Sequence, residues 1–223
     1  MDGTHNLTWR QDVLPPSAKD ALLYLAGLPW LENSGWYLAG GTALALQAGH
    51  RESVDLDFFT QESFEDVTPL RRLLSGDPEF VADREAPGTL YGRLLGAKVS
   101  FISYPFFIPR EPFLPYGCVQ VLHERDIAVM KVIAISQRGK KRDFVDLYWY
   151  VTNRESLLDV CQRLPSQYPS VSHNYQHIIK ALMYFSDAED DPMPALFLDI
   201  DWEKIKAHFQ SETPKTAKTL LRI

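Results

Sequence analysis

The sequence is poor in cysteine and in long apolar runs. Its two cysteines, Cys118 and Cys161, suggest no disulfide framework and have no zinc-ligand spacing. No apolar run approaches the roughly 18 residues that a membrane-spanning helix needs, and the polar N-terminus does not resemble a signal peptide. We therefore expect a soluble, cytoplasmic protein without a membrane partner.

Positive charge is also scarce. The 223 residues carry a formal net charge of -6, whereas a protein that binds nucleic acid non-specifically needs a broad basic surface. This balance argues against such a binder but leaves room for a local basic groove. Hydrophobic residues make up 45% of the chain and aromatic residues 12%, which is enough for a sizeable core in one domain or two small ones.

Two adjacent glycines, Gly40 and Gly41, end the apolar segment 36–39 and precede a small-residue helical pattern that starts at Thr42. Glycines before a helix N-terminus let a phosphate approach backbone N–H groups. The alternative is a tight turn that only backbone geometry requires, and a pair of glycines is weak evidence by itself. Together with the acids that follow, it predicts a phosphate cradle to which Thr42 adds a hydroxyl.

Those acids are Asp55 and Asp57, which stand one residue apart in an otherwise apolar run. In a strand both would project to one face, while Val54, Leu56 and Phe58 fill the other. Two like charges so close raise one pKa unless a cation lies between them. Mg²⁺ prefers oxygen ligands and bridges carboxylates to substrate phosphates. The pair predicts a site for a Mg²⁺-bound nucleoside triphosphate (NTP), the alternative being solvent-facing acids on an edge strand.

Basic residues near these acids could contact phosphate. Arg51 lies four residues before Asp55 and could bind a phosphate oxygen, or it could pair with Glu52 or Asp55. We interpret its neighbour His50 as a turn residue. The sequence leaves these alternatives for Arg51 open.

A second cluster of charged residues follows in the C-terminal half. Lys131 and Arg138 are seven apart, so they share one face of a predicted helix beside an apolar body. Asp143 and Asp146 fall on one stripe of the next helix. The alternative to a functional cluster is a solvated basic turn in which Arg142 and Asp146 form an i,i+4 pair.

The patterns divide the chain near residue 123. Before it we predict a helix over 18–26 with Ser17 and Asp20 as a capping box, then the strand, glycine turn, short helix and acidic strand. A meander of three strands over 79–84, 88–95 and 97–104, a proline-rich link over 105–115 and a strand over 118–122 come next. After it nearly every pattern is helical, over 124–137, 142–151, 155–164, 175–185, 202–210 and a separate piece beyond Pro214. We therefore predict an α/β core in residues 1–122 and a helical subdomain in residues 123–223.

Taken together, these segments resemble the nucleotidyltransferase AbiEii/AbiGii toxin family of the polymerase beta type superfamily. The resemblance runs from about Trp36 to Tyr150, with a weaker likeness in the tail. It is carried by the segments 38–46, 49–59, 131–134 and 138–148. It implies an α+β fold, namely a nucleotidyltransferase-like mixed β-sheet core with flanking helices, followed by a C-terminal helical bundle.

The resemblance also implies transfer of a nucleotidyl group from an NTP with release of pyrophosphate. Asp55 and Asp57 would bind Mg²⁺, and Lys131 and Asp146 match positions that the family needs for activity. The triphosphate would be held by Gly40, Gly41, Thr42, Arg51 and Arg138. Members of the family are toxins paired with an antitoxin, and some modify the 3′ end of tRNA, so we expect an RNA acceptor and a cognate antitoxin. The acceptor groove would be lined by Lys131, Arg138, Lys140, Lys141 and Arg142.

One position departs from the superfamily pattern. A third carboxylate usually comes from a later strand, here the segment 97–102, in which Lys98, Ser100 and Ile102 share a face. Ser100 stands where that acid is expected, and a serine cannot act as a general base near neutral pH. Asp143 or Asp146 could substitute for it. Otherwise nucleotidyl transfer would be slow, or absent in a degenerate member that binds nucleotide or a partner protein without turnover. A sugar-nucleotide transferase is a third, poorer fit.

Overall fold

The structure is a computed structural model that describes residues 8–76 and 80–222. Its strands form one mixed sheet in the order β3-β4-β5-β2-β1-β7-β6. Pairs β2–β5 and β1–β7 are parallel, and the remaining neighbours are antiparallel. The strands are β1 Tyr37–Ala39, β2 Leu56–Thr60, β3 Val81–Ala86, β4 Thr89–Leu94, β5 Ala97–Ser103, β6 Leu114–Tyr116 and β7 Val119–Val121.

The helices flank the sheet and dominate the second half of the chain, so the fold is the α+β arrangement expected from the sequence. The first three are α1 Pro16–Ala26, α2 Gly40–Ala48 and α3 Thr68–Leu73. The others are α4 Glu124–Arg138, α5 Lys141–Asn153, α6 Leu157–Gln162, α7 Leu164–Gln167, α8 Tyr175–Leu182, α9 Ser186–Glu189 and α10 Trp202–Leu220. In the described ranges, no helix is long and apolar enough to cross a bilayer.

Strand β2 sits in the middle of the sheet and carries the alternating pattern that the sequence predicts. Leu56, Phe58 and Thr60 are buried, whereas Asp57 and Phe59 are partly exposed. The predicted meander is confirmed as β3–β4–β5 for its described residues; the start of its first run, Glu79, lies outside them. One face of β4 and β5 packs into the core, and on the other face Tyr91, Arg93 and Lys98 are exposed while Ser100 is buried.

The helical half docks onto the core through α4, which packs on α2 and on α5. Both ends of α4 follow from sequence. His123 caps its N-terminus by accepting from the Arg125 N–H, and Gly139, with φ 53°, ends it in the left-handed region. The secondary structure thus changes character next to residue 123. The division into two separate subdomains there stays a prediction.

A short strap, residues 195–197, ties the tail back to the core. The Glu52 N–H donates to the Ala195 carbonyl at 2.8 Å, and the Phe197 N–H donates to the His50 carbonyl at 2.9 Å. Arg51 and Leu196 form a β-bridge between these two bonds. The strap therefore holds the loop that leads from α2 to β2.

Three local predictions were wrong. Helix α1 begins at Pro16, and among the described residues no side chain caps it, because a proline at the first helical position already lacks the N–H that a cap would satisfy. The proline-rich link contains β6, which pairs with β7 as a hairpin. Pro214 does not divide the last helix: α10 runs through it, and the buried Phe209, Thr213 and Thr216 anchor the helix on both sides.

Candidate active site

Asp55 and Asp57 line one cleft of about 380 Å³ between the sheet and helices α4 and α5. Asp57 lies within β2, and Asp55 immediately precedes this strand. Val54 therefore does not join the apolar face as predicted, and its side chain is 47% exposed. Other residues that the sequence analysis singled out also line the cleft: Gly40, Gly41, Thr42, Arg51, Lys131, Arg138 and Arg142.

The N-terminus of α2 lies close to the carboxylates because its first two residues are glycines, which have no β-carbon. Gly40 has φ 69°, and a β-carbon there would lie 3.3 Å from Asp57 Oδ2. A β-carbon at Gly41 would collide with the guanidinium of Arg51. Among the described residues no side chain caps this helix end. Its positive end thus faces the cleft, where an anion would be stabilised.

Thr42 also lines the cleft, but its hydroxyl has partners within the protein. Its Oγ1 donates to the Asp55 carbonyl and lies 2.8 Å from Ser53 Oγ. Thr42 is only 1% exposed. The hydroxyl therefore braces the turn that carries Asp55 and is not directed at a ligand.

Asp146 is the centre of a buried ionic cluster behind the cleft. One oxygen, Oδ1, lies 2.6 Å from Arg51 Nε and 2.7 Å from His50 Nε2, and the other, Oδ2, lies 2.9 Å from Arg51 Nη2 and 2.6 Å from Lys131 Nζ. The Asp146 side chain has no exposure to solvent. Both carboxylate oxygens are thus fully used in holding two cations at the cleft wall.

Asp143 extends the same cluster. It accepts from Lys131 Nζ at 2.8 Å and from Arg138 Nε at 2.9 Å. Arg138 lines the cleft with half of its side chain exposed. Asp143 and Asp146 do not line the cleft with Asp55 and Asp57 among the described residues, so they are not placed as substitutes for a third acid there.

The electrostatics of this cluster favour charged carboxylates and a neutral histidine. Burial opposes ionisation of Asp146, but Arg51, Lys131 and His50 hold its pKa well below the usual range. Burial likewise opposes ionisation of Asp143, and Lys131 and Arg138 lower its pKa. For His50, burial outweighs Asp146 and lowers the pKa. The cluster therefore keeps an excess of positive charge next to the cleft.

Arg142 pairs with a residue that the sequence did not indicate. Its Nη1 lies 3.3 Å from Asp55 Oδ2, so the i,i+4 pair with Asp146 is not formed. Two other predicted groove residues also point elsewhere. Lys140 pairs with Asp191 at 3.0 Å, and the buried Lys141 donates to the Glu189 carbonyl at 3.1 Å.

Ser100 stands beside Asp57 on the neighbouring parallel strand. The two residues are direct partners in register, and Ser100 Oγ donates to Asp57 Oδ1 at 2.6 Å. Burial raises the pKa of Asp57, while this hydrogen bond lowers it and the charge of Asp55 raises it further. Asp57 is therefore a carboxylate that a cation would stabilise.

The residues present fit a Mg²⁺ ion shared with a ligand. In the part of the chain that the structure describes, no group of three or more His, Cys, Asp or Glu side chains is placed to hold a metal alone. Mg²⁺ often uses only one or two carboxylates and takes its remaining ligands from water and substrate phosphates. Asp55 and Asp57 supply those two, and a bound cation would offset the burial and the like charge that raise the pKa of Asp57.

Several residues of the site escaped the sequence analysis. His50 is fully buried against Trp149, with ring centroids 5.5 Å apart, whereas the sequence analysis interpreted it only as a turn residue. Aromatic side chains also line the cleft: Phe59, Tyr91, Tyr104 and Tyr168. Alternation along β2 and β4 places Phe59 and Tyr91 on the carboxylate face and could have revealed them. No local signal marks His50.

Comparisons with known sequences find a matching family model and a similar protein. The model of the family described as nucleotidyl transferase AbiEii toxin, type IV toxin–antitoxin system, matches residues 31–89 and 94–222. An uncharacterized protein of Aquifex aeolicus (strain VF5) is 33% identical over 184 residues, which cover 78% of this chain and 84% of that protein. The match to the family model includes the carboxylate strand and the region from Lys131 to Asp146.

Solved structures resemble the fold. MenT4, a nucleotidyltransferase toxin of Mycobacterium tuberculosis H37Rv, superimposes with a TM-score of 0.57 at 18% identity, covering 91% of this chain and 86% of that one. A putative nucleotidyltransferase of Helicobacter pylori gives a TM-score of 0.53 at 16% identity, covering 93% and 98%. At this identity the likeness concerns the fold.

Proposed function

The chain belongs to the AbiEii nucleotidyltransferase toxin family, and from this premise we propose that it transfers a nucleotidyl group from a Mg²⁺-bound NTP to a hydroxyl group of RNA. The observation that carries the proposal is the opposition of two charges across one cleft. Asp55 and Asp57 lie on the sheet side, and Arg51, Lys131 and Arg138 are held on the other. A metal-bound triphosphate needs carboxylates to hold the metal and cations to bind its phosphates.

Each wall has a separate part in binding. Asp55 and Asp57 would hold the metal, and the uncapped N-terminus of α2 at Gly40 and Gly41 would receive phosphate oxygens. Lys131 and Arg51 are fixed by Asp146, so they would meet the triphosphate without first losing side-chain freedom. Mg²⁺, when bound, supplies charge neutralisation at the α-phosphate and orients it. Asp146 then acts as a positioning residue.

The reaction balances without another cofactor. The acceptor oxygen forms a bond to the α-phosphorus, the bond from that phosphorus to the pyrophosphate oxygen breaks, and its electron pair leaves with pyrophosphate. The hydroxyl proton is lost to water. Such transfers depend mainly on positioning and charge stabilisation, so Ser100 in place of a third acid is compatible with slow turnover.

A second candidate is supported by Ser100. A serine hydrogen-bonded to Asp57 adds no negative charge for a second metal, so the chain could bind NTP without transferring a nucleotide. In either case we propose a cytoplasmic location and a cognate antitoxin, because the family is a type IV toxin–antitoxin system. tRNA is the first acceptor to test.

The experiment that tests the proposal uses Mg²⁺, total tRNA and each of the four NTPs labelled at the α-phosphate. Wild-type protein is compared with the double variant Asp55→Ala/Asp57→Ala, whose folding is checked by circular dichroism. Label that moves onto RNA only with wild type supports transfer and names the nucleotide. Mg²⁺-dependent NTP binding without transfer supports the second candidate, and absence of binding contradicts both.

A further inference from the structure

Asp55 and Asp57 border a second, smaller cavity of about 200 Å³ on the side away from the cations. Its lining comes from β3, β4 and β5 and includes Asp83, Tyr91, Lys98 and Ser100. Among residues 8–76 and 80–222, Tyr91 is the one residue besides the two carboxylates that borders both cavities. The carboxylates thus form a wall between the triphosphate cleft and this second cavity.

The strand order explains the separation. Strand β2 lies between β1, which leads into α2, and β5. A single row of directly paired residues crosses the sheet at this level: Ala39, Asp57, Ser100, Tyr91 and Arg84. Laterally paired residues project to the same face. Gly40 and Gly41 therefore come directly after Ala39, at one end of this row. Tyr91 and Arg84 lie at its other end.

The face that continues beyond Ser100 is open and basic. Tyr91, Arg93 and Lys98 are exposed, whereas Leu90 and Leu94, on the opposite face of β4, are buried. Arg84 is also exposed, and Arg93 pairs with Asp83 at 3.2 Å. This small excess of positive charge, on a protein whose net charge is -6, surrounds one exposed aromatic ring. A basic surface with an aromatic side chain is typical of sites for single-stranded nucleic acid.

In-line transfer requires the attacking oxygen and the leaving pyrophosphate to lie on opposite sides of the α-phosphorus. The cations of the large cleft would hold the pyrophosphate, so the acceptor must arrive from the side of the small cavity. We propose that the open face of β3, β4 and β5 is the acceptor platform, on which Tyr91 stacks a terminal base of single-stranded RNA while Lys98 and Arg84 bind its phosphates. This inference rests on the proposed function.

The platform is long enough to hold the end of an RNA strand beside Asp57. Neighbouring strands are about 4.8 Å apart, so Arg84 lies about 14 Å from Asp57 across three strand spacings. Lys98 is two residues from Ser100 on the same strand face and borders the small cavity. A strand end that stacks on Tyr91 would therefore present its hydroxyl group near Asp57 and extend its backbone toward Arg84.

The first test measures RNA binding without turnover, so that it is independent of the proposed function. Fluorescence anisotropy of a labelled single-stranded RNA oligonucleotide, without NTP, is compared for wild type, Tyr91→Ala, Tyr91→Phe and the double variant Arg84→Ala/Lys98→Ala. We expect Tyr91→Ala to weaken binding about tenfold, because base stacking on an aromatic ring contributes substantially, and Tyr91→Phe to retain it. The double variant should lower the salt slope by about 1.4, or 0.7 for each lost phosphate contact.

The control variant Lys215→Ala/Lys218→Ala removes the same charge from the exposed side of α10 and should bind RNA as wild type does. In the transfer assay, the platform variants should raise KM for RNA about tenfold and leave KM for NTP within twofold. RNA binding that is absent, or that the platform variants do not weaken, overturns the platform. A raised KM for NTP alone also overturns it, because Tyr91 would then serve the nucleotide.

The two failures can be distinguished. If wild type transfers no nucleotide but the RNA oligonucleotide binds in a Tyr91-dependent manner, the proposed function fails and the platform stands. If label moves onto a protein and not onto RNA, the platform as an RNA site is wrong while nucleotidyl transfer stands.

Discussion

Arg142 Nη1 lies 3.3 Å from Asp55 Oδ2, so an ion pair joins the first turn of α5 to the carboxylate edge of the sheet. Both side chains are partly exposed, at 49% and 29%. Asp55 is also one of the two carboxylates that would hold Mg²⁺. Binding of the metal to Asp55 would therefore release Arg142 into the cleft, where a triphosphate provides its next partner.

This relationship predicts the effect of Arg142→Ala. The unfolding free energy should change by less than about 1 kcal/mol, because exposed ion pairs contribute little. NTP affinity in Mg²⁺ should fall about tenfold or more, since a charge-assisted hydrogen bond contributes about 1.5–3 kcal/mol. Calorimetric titration measures it. Lys140→Ala is the control, because Lys140 pairs with Asp191; unchanged NTP affinity in Arg142→Ala would contradict the release.

A second prediction concerns Asp57→Asn. Because the folded protein raises the pKa of Asp57, it binds more protons than the unfolded chain just above pH 3.9 and loses stability as pH rises through this window. At neutral pH the neutral asparagine should raise the melting temperature while activity falls by about a hundredfold or more. Saturation with Mg²⁺ to 100 times Kd should stabilise wild type by about 2.7 kcal/mol and leave the variant unchanged in a thermal scan.

A third prediction concerns Ser100→Asp. The new carboxylate would lie beside Asp57 at a position that is 4% exposed, so without metal we expect a loss of about 1–3 kcal/mol in unfolding free energy. Mg²⁺ should offset this loss and bind more tightly. Urea titrations with and without Mg²⁺ test both effects; Mg²⁺ that fails to restore stability would place position 100 outside the metal site.

The transfer assay on Ser100→Asp then decides between the two functional candidates. A large gain of activity supports a degenerate site in wild type, and loss of an existing activity supports a site rebuilt around the Ser100–Asp57 hydrogen bond. Ser100→Ala is the matched control. It removes the bond that lowers the pKa of Asp57, so Mg²⁺ binding should shift to higher pH.

A fourth prediction concerns the buried cluster. Asp146→Asn leaves Arg51 and Lys131 without their shared carboxylate, so we expect a loss of about 3–5 kcal/mol. The exposed Asp190→Asn serves as control. If Asp146→Asn still folds, Mg²⁺-dependent NTP affinity should fall as well, because its two cations lose their fixed positions. A loss of unfolding free energy below about 1 kcal/mol would show that the cluster is not buried from solvent.

The fifth prediction is a pH dependence. The lowered pKa of His50 means that below about pH 6.5 the unfolded chain binds a proton that the folded chain does not, so stability falls with acidity. Asp146 adds the same trend below about pH 4, since its pKa is also lowered. His50→Gln keeps a donor for Asp146 and should flatten the stability difference between about pH 5 and 7. If unfolding free energy changes equally with pH in wild type and in His50→Gln, His50 is not the source of this dependence.

Sequence predicted the parts of the site that local pattern determines. The glycine pair at the start of α2 and the alternation from Leu56 to Phe58 are short-range features that the structure reproduces. The alternation fails before Leu56, because Val54 and Asp55 precede the strand. The partners of these residues were not predicted, because they come from distant segments. Asp146 meets Arg51, and Arg142 meets Asp55 in place of Asp146.

Burial was the other quantity that sequence could not supply. His50 has the polarity of a turn residue, but the strap at 195–197 and Trp149 enclose it. Pro214 was predicted to end a helix by its own chemistry, and packing on both sides overrides that preference. In both cases tertiary contacts outweigh the local signal.

The strap has a consequence for folding during synthesis. The bonds from Glu52 to Ala195 and from Phe197 to His50 join a loop of the core to a segment that lies far later in the chain. Contacts of such long sequence separation form late in folding. The loop that carries Arg51 is therefore secured only after residues 195–197 have been synthesised, and a growing polypeptide that has not reached them lacks these two bonds.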